Sequence, residues 1–194
     1  MDDMDLQGNL ITEDEIATLI GEPVWGIESE PTSGEGVYWS SRYRVGEKQE
    51  KSVWCGPFTI KQMIYELKNI LLCQSVLAAK AGTRSGGTGH QGLINTLQGE
   101  GLHAEFVTFN SLGWTSLGQK LADSNVSIGF HALYQDKWGH YMYPVYVNTV
   151  KRIIGLLDSL NSHQDIIYVS FNEFERWVRD TPGNQRSVLI ATKK

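Results

Sequence analysis

Cys55 stands at the start of a predicted helix, where a cysteine is well placed to act as a nucleophile. Apolar residues spaced three and four apart run from Ile60 to Leu71, and Pro57 is tolerated in a first helical turn. Free backbone N–H groups and the helix dipole at an N-terminus favour a thiolate over a thiol. The sequence therefore predicts a reactive thiol at Cys55.

A cysteine nucleophile needs a general base, and the base needs an orienting group. The segment Val147–Lys151 separates two predicted strands and is typical of a hairpin turn. In a regular hairpin centred on Thr149, His140 and Asp158 are directly opposed, with Cβ atoms about 4.5–5.5 Å apart. A β-bulge would break this register. We expect Asp158 to hold one imidazole nitrogen and to leave the other for Cys55.

A second group of residues is predicted to shape the site around this triad. The side-chain amide of Gln49, just upstream of Cys55, is a candidate donor to a developing oxyanion, together with the Cys55 backbone N–H. Trp54 and Trp138 flank the proposed catalytic pair and are candidates for lining a substrate groove.

The elements that must position these residues change character along the chain. Helices dominate the first half of the body and strands the last third, which predicts an α+β fold with an antiparallel sheet. Besides the helix that follows Cys55, the predicted helices are Gln74–Ala81, His90–Gly99, Leu117–Ala122 and Asn172–Arg179. The predicted strands are His103–Phe109, Val126–Tyr134, His140–Val147, Arg152–Asp158, Asp165–Val169 and Val188–Ala191.

Charge divides the chain into two parts. Residues 1–41 hold ten of the 22 acidic residues and no Lys or Arg, so the other 12 acids and all 17 bases lie in residues 42–194. We therefore predict an acidic arm over residues 1–41, with a short helix near 13–20, and one catalytic domain over residues 42–194. Two interpretations of the arm stay open, namely a solvated extension and a segment that docks on the basic body.

Composition narrows the classes of function. A net charge of −5 over 194 residues disfavours a nucleic-acid binder, and the two cysteines make no disulfide framework. No apolar run reaches the roughly 20 residues of a membrane span, and no signal peptide precedes the body, so we expect a cytoplasmic protein. No metal-ligand motif occurs, and neither a metal nor another cofactor is expected.

The remaining cysteine and histidines have plainer interpretations. Cys73 follows three apolar residues and is predicted to pack in the core. His131 is the rival base, but it lies within a strand that offers no matching carboxylate. His90, His103 and His163 are interpreted as loop or surface residues, and Gly82–Gly89 as a turn, since it lacks the phosphate-binding pattern.

Taken together, these motifs resemble the bacteriocin-processing, double-glycine-leader cysteine peptidases of the papain-like superfamily. The resemblance covers residues 45–180, and the spacings from Gln49 to Cys55, from Cys55 to His140 and from His140 to Asp158 are 6, 85 and 18 residues. The matching segments are Gln49, Trp54–Pro57, Gly82–Thr83, Gly89–Leu102, Gly139–His140, Leu157–Asp158 and Phe174–Trp177.

The resemblance implies a papain-like fold and a thiol-dependent peptide or amide hydrolase. Cys55 would be the nucleophile, His140 the base, Asp158 its orienting partner and Gln49 an oxyanion donor. Two alternatives stay open: an acyl- or peptidyl-transferase of the same fold in peptide natural-product biosynthesis, and a catalytically silent homologue that binds a leader peptide. Under each of them the partner is a peptide or a small acyl substrate.

Overall fold

The computed structural model describes residues 34–134, 138–160, 165–178 and 187–194. Within these ranges the chain forms five α-helices and seven β-strands. The helices are α1 (Cys55–Lys68), α2 (Gln74–Lys80), α3 (His90–Gly99), α4 (Trp114–Ala122) and α5 (Phe171–Val178). The strands are β1 (Val37–Trp39), β2 (Leu102–Thr108), β3 (Val126–Tyr134), β4 (Trp138–Asn148), β5 (Ile153–Leu157), β6 (Ile166–Ser170) and β7 (Ser187–Lys193).

These elements confirm the predicted order of helices and strands, with small shifts at their ends. The largest difference is at α1, which stops at Lys68 because Asn69 adopts a left-handed conformation and caps the helix. Ile70 and Leu71, which the apolar spacing assigned to the helix, are therefore exposed beyond its end. The predicted helix near residues 13–20 lies outside the described residues.

The strands form one antiparallel sheet in the order β2-β7-β3-β4-β5-β6, with β1 paired to β4. Strand β1 lies within the acidic segment 1–41, so the last part of that segment belongs to the sheet, while residues 1–33 lie outside the described residues. No helix in the described ranges combines the length and the apolar character that crossing a bilayer requires.

Both faces of the sheet are covered by helices, as the alternation along β7 illustrates. Val188 and Ile190 pack in a cluster with α4 and α5, whereas Leu189 and Ala191 pack in a second cluster with α1, α2 and α3. The chain therefore has an α+β architecture with two cores, and α1 carries Cys55 in the second of them.

A buried carboxyl group ties the far end of α1 to the sheet. Glu66 is 4% exposed, and it accepts hydrogen bonds from Ser40, Ser41 and the Tyr143 hydroxyl, the last at 2.5 Å. Burial raises the pKa of Glu66, and the hydrogen bonds from its hydroxyl partners oppose that rise. These contacts fix α1 along β4 and thereby fix the position of its first residue.

Helix α3 packs so tightly on α2 that one glycine is required by contact alone. A Cβ atom on Gly92 would stand 2.1 Å from the Ala81 carbonyl oxygen, whereas a Cβ on Gly99 of the same helix would meet nothing within 4 Å. This close approach holds the two ends of the Gly82–Gly89 segment together.

We expect Gly92→Ala to lower the free energy of unfolding by about 1–3 kcal/mol, because the added methyl group must push α3 off α2. Urea denaturation measures this change. Gly99→Ala is the matched control, and it should leave stability unchanged or raise it by up to about 1 kcal/mol, since alanine favours the helix. Equal stability of the two variants would contradict the packing described above.

Candidate active site

Cys55 is the first residue of α1, as predicted, and its side chain is 9% exposed. No side chain caps this helix end, and no acidic residue lies in its first turn. The N–H groups of Cys55 and Gly56 have no partner within the helix, and Pro57 has no N–H. They remain available to an anion that forms at or beside the sulfur.

His140 and Asp158 form a hydrogen bond, with 2.7 Å between His140 Nε2 and Asp158 Oδ1. Both side chains are 1% exposed, so neither is hydrated, and each must be stabilised by contacts within the protein. The Leu160 backbone N–H donates to the same carboxylate oxygen at 2.9 Å. The carboxylate is thus held from two directions and keeps the imidazole ring in one orientation.

Cys55 lies close enough to the same imidazole to contribute to the rise of the His140 pKa. The structure therefore places Cys55, His140 and Asp158 in one region, with the imidazole hydrogen-bonded to the carboxylate. A histidine beside a thiol is one of the arrangements that can activate a cysteine.

The charge state of His140 follows from these two neighbours. Burial by itself lowers the pKa of His140, but the negative charge and the hydrogen bond of Asp158, together with the nearby Cys55, raise it to about 10. An imidazolium is therefore favoured near neutral pH. It can stabilise a thiolate beside it and later donate a proton.

The register of the hairpin differs from the prediction, although the contact that it was meant to explain is present. Asn148 pairs with Ile153, and Tyr143 pairs with Leu157, because a β-bulge lies between Pro144 and Tyr146. Counting on from Leu157 places Asp158 opposite Met142 and not opposite His140. The predicted direct pairing is therefore wrong by two residues.

The β-bulge places the side chains of His140 and Asp158 on the same face of the sheet. Without it, the pairing of Asn148 with Ile153 would place Asp158 opposite Tyr143, which points away from the face of His140. One extra residue at Val145 shifts the partner to Met142, two positions from His140. A diagonal pair of this kind has Cα atoms about 7–8 Å apart, within reach of an imidazole and a carboxylate.

Gln49 lies beside the loop that follows Asp158, but its amide is already engaged. Its Nε2 donates to the backbone oxygens of Lys51, at 2.9 Å, and of Ser52, while its Oε1 accepts a 2.7 Å hydrogen bond from the Ser159 hydroxyl. Ser159 follows Asp158 directly, so Gln49 links the loop before Cys55 to the loop that carries the carboxylate. Both amide hydrogens of Gln49 therefore bond to backbone oxygens of the loop before Cys55.

The two predicted groove tryptophans have different outcomes. Trp54 directly precedes α1 and is partly buried, with the Lys51 ammonium 4.9 Å from the centre of its ring. Trp138 begins β4 and pairs with Tyr134, but its side chain lies outside what the structure describes.

One contact next to Cys55 was not predicted from the sequence. The Tyr141 hydroxyl donates to the Thr88 carbonyl at 3.2 Å, and Thr88 packs so closely on Gly56 that a Cβ there would be 3.0 Å from the threonine. Burial raises the pKa of Tyr141, and the neighbouring charge of Cys55 raises it further, so this hydroxyl stays protonated. The position of Tyr141 directly after His140 was the available signal.

Two expectations about the remaining residues are wrong. Cys73 precedes α2 and is exposed, not packed in the core, because α1 ends five residues earlier. His90 is partly buried, with its ring stacked on Phe106 at a centroid distance of 4.0 Å and edge-on to His131. Among the described residues, no group of three or more His, Cys, Asp or Glu side chains is arranged to hold a metal ion.

Comparison with known proteins gives similarity at the level of structure. No family model and no curated protein sequence matches the chain. The peptidase domain of Streptococcus ComA, a bi-functional ABC transporter involved in a quorum sensing pathway, superimposes with a TM-score of 0.58 at 12% identity, over 79% of this chain and 100% of that domain.

Two further peptidase domains superimpose in the same way. A double glycine motif protease from an AMS/PCAT transporter, solved in complex with the leader peptide, has a TM-score of 0.56 at 12% identity and covers 78% of this chain and 94% of its own. The peptidase C39 like domain of a Vibrio parahaemolyticus toxin secretion ATP-binding protein has a TM-score of 0.50 at 11% identity, over 75% of this chain and 100% of that chain. The chain therefore has the papain-like α+β fold of these peptidase domains.

The raised pKa of His140 is open to a direct test with Asp158→Asn. We expect the pKa of His140 to fall by about 1–3 units, because the buried ring loses its opposing negative charge. Titration of the His140 Cε1–H resonance by NMR measures this shift. Asp123→Asn removes the same charge beside the exposed Asn125 and serves as the control.

The same substitution should change the pH dependence of stability. A pKa raised from about 6.5 to about 10 contributes stability that is complete below pH 6.5 and is lost as the pH rises towards 10. Asp158→Asn should flatten this loss in urea denaturation curves. Identical curves for Asp158→Asn and Asp123→Asn would refute the assignment of Asp158 as the partner that charges His140.

Proposed function

We propose that the protein is a cysteine peptidase-like hydrolase that cleaves a peptide or amide bond through a thioester on Cys55. The observation that carries the proposal is that one buried imidazole, His140, hydrogen bonds to the Asp158 carboxylate at 2.7 Å and has a pKa that both Asp158 and Cys55 raise. The shared fold with peptidase domains supports the reaction class, and the leader-peptide complex of one of those proteins supports a peptide as the substrate.

The first half of the reaction is acylation of the thiol. The Cys55 thiolate attacks the carbonyl carbon of the scissile bond while the imidazolium of His140 stands beside it. When the tetrahedral intermediate collapses, the C–N bond breaks, His140 gives its proton to the departing amine, and the acyl group remains on sulfur.

The second half is release of the acyl group by water. Neutral His140 removes a proton from a water molecule, and the resulting oxygen attacks the thioester carbonyl. Collapse of this intermediate breaks the C–S bond and returns the thiolate and imidazolium pair. Asp158 stays ionised throughout, holding the ring orientation and stabilising each imidazolium.

The oxyanion would be stabilised by the Cys55 backbone N–H and by the amide of Gln49. Both amide hydrogens of Gln49 now bond to the carbonyls of Lys51 and Ser52, so one of these bonds must be exchanged for the oxyanion. Gln49 also accepts from Ser159, and it therefore positions the loop on each side of the site.

The state of the thiol tests the proposal before any substrate is known. We expect iodoacetamide at pH 6–7 to alkylate Cys55 at least tenfold faster than Cys73, because only the thiolate reacts and His140 stabilises it. Peptide mass spectrometry follows both cysteines in one sample, and Cys73 is the exposed reference thiol.

Two histidine substitutions serve as the matched variants in this labelling experiment. His140→Ala should remove the advantage of Cys55, whereas His131→Ala, in the neighbouring strand, should retain it. Equal and slow labelling of both cysteines in the wild-type protein would overturn the proposal, and so would fast labelling that survives His140→Ala.

Turnover is tested with a synthetic peptide that carries a double-glycine leader, with products followed by mass spectrometry. Cys55→Ala should abolish cleavage, and Gln49→Ala should slow it by about 10²–10³-fold, the usual effect of losing one oxyanion donor. Adding glycinamide separates the two chemistries. Products that form only when the amine is present would assign a transferase in place of a hydrolase, and unchanged cleavage by Cys55→Ala would exclude the thioester.

A further inference from the structure

Lys51 is fixed at the entrance to the helix that carries Cys55. Its carbonyl oxygen accepts from the Trp54 backbone N–H at 2.9 Å and from Gln49 at 2.9 Å, so the loop around it is closed by two hydrogen bonds. Its ammonium lies 4.9 Å from the centre of the Trp54 ring. A positive charge is thereby held on the residue that precedes the nucleophile.

Arg84 lies on a hairpin whose base, at Thr88, packs on Gly56, the residue that follows Cys55. Arg84 and Gly87 exchange two backbone hydrogen bonds of 3.0 Å, which makes a tight hairpin with Ser85 and Gly86 at its tip. The hairpin is closed at its base by a 2.8 Å hydrogen bond between Thr83 and Thr88.

This hairpin is attached to the site itself. Thr88 packs on Gly56, where the space for a Cβ is filled by the threonine, and its carbonyl accepts from Tyr141 beside His140. The tip, including Arg84, is exposed. The arginine is therefore carried on a short hydrogen-bonded hairpin whose base contacts the residue after Cys55.

Neither cation is neutralised by the described part of the chain. Among the described residues, Arg44, Lys61, Lys80 and Arg176 make ion pairs with glutamates, but Lys51 and Arg84 make none. The nearest acid in sequence, Glu50, donates its backbone N–H to Gln74 and so lies against α2. Within the described ranges, Lys51 and Arg84 thus lie without an ion pair on two segments that contact the residues on either side of Cys55.

We propose that Lys51 and Arg84 form a cationic rim that selects a substrate with a carboxylate side chain close to the bond that is cleaved. The inference rests on the proposed function, because it assigns an acidic peptide to the same thiol. An exposed cation attracts a carboxylate weakly in water, but two that flank one reaction centre add their potentials where the substrate must dock. The rim would then favour an acidic residue over its neutral amide.

The probe is a pair of small electrophiles of opposite charge type, the anion iodoacetate and the neutral iodoacetamide. The ratio of their alkylation rates at Cys55 reports the local potential, because thiolate reactivity enters both rates equally. We expect Lys51→Gln and Arg84→Gln each to lower the iodoacetate to iodoacetamide ratio by about two- to fivefold, and the double variant to lower it further. Raising the ionic strength should shrink these effects.

Two controls isolate the rim from general charge effects. Lys193→Gln removes one exposed charge from β7, six residues or about 20 Å along the strand from Ser187, which pairs with His131. It should leave the ratio unchanged, and the ratio at Cys73 should be unchanged in every variant. His140 is unchanged in all of these variants, so its charge affects every rate ratio equally.

A second pair of probes tests a carboxylate on a side chain. N-acetyl-Glu-Ala-Gly chloromethyl ketone should inactivate the wild-type protein several-fold faster than its Gln counterpart, and Arg84→Glu should reverse that order. If Cys55 reacts fast but the Lys51 and Arg84 variants have the same iodoacetate to iodoacetamide ratio as Lys193→Gln, the cationic rim is wrong. The proposed function would still stand. Failure of Cys55 to react faster than Cys73 with any reagent would overturn both.

Discussion

The buried hydrogen bond between His140 and Asp158 is the interaction on which the site depends. A carboxylate and an imidazole that are each 1% exposed are stable in that position only when they face each other, because either one alone would be an uncompensated polar group. This requirement fixes the end of β5 against β4. It also raises the pKa of His140, the histidine nearest to Cys55 in the proposed site. The helix that carries Cys55 is positioned independently, through Glu66 at its other end.

Much of this arrangement was accessible from sequence, for identifiable physical reasons. Apolar spacing and Pro57 mark the start of α1, since proline without an N–H is tolerated only in a first turn. The strands β3 to β6 follow from their apolar and β-branched residues, and their hairpins bring His140 and Asp158 together. The register was not accessible. Val145 resembles any other strand residue, and nothing in its type distinguishes an extra residue from a paired one.

Contacts between distant parts of the chain account for the other errors. Cys73 has apolar neighbours, and only the end of α1 at Asn69 explains why it is exposed. The contact of Tyr141 with Thr88 spans 53 residues, and it turns the Gly82–Gly89 segment from a simple turn into a wall of the site. Gln49 was assigned to the oxyanion from its distance along the chain, yet its bonds to Lys51, Ser52 and Ser159 depend on loops that meet only in the fold.

The bulge at Val145 also governs how this protein tolerates insertions and deletions. Residues 149–152 connect the paired positions Asn148 and Ile153, so a change of length there alters contacts such as the Thr149 N–H bond to the Gly36 carbonyl but does not change which faces of the strands meet. Between Asn148 and His140, however, the loss or gain of one residue exchanges the two faces of the sheet and separates the imidazole from its carboxylate. Length is therefore free to vary in the connection, but within the strand it can change only by an even number of residues.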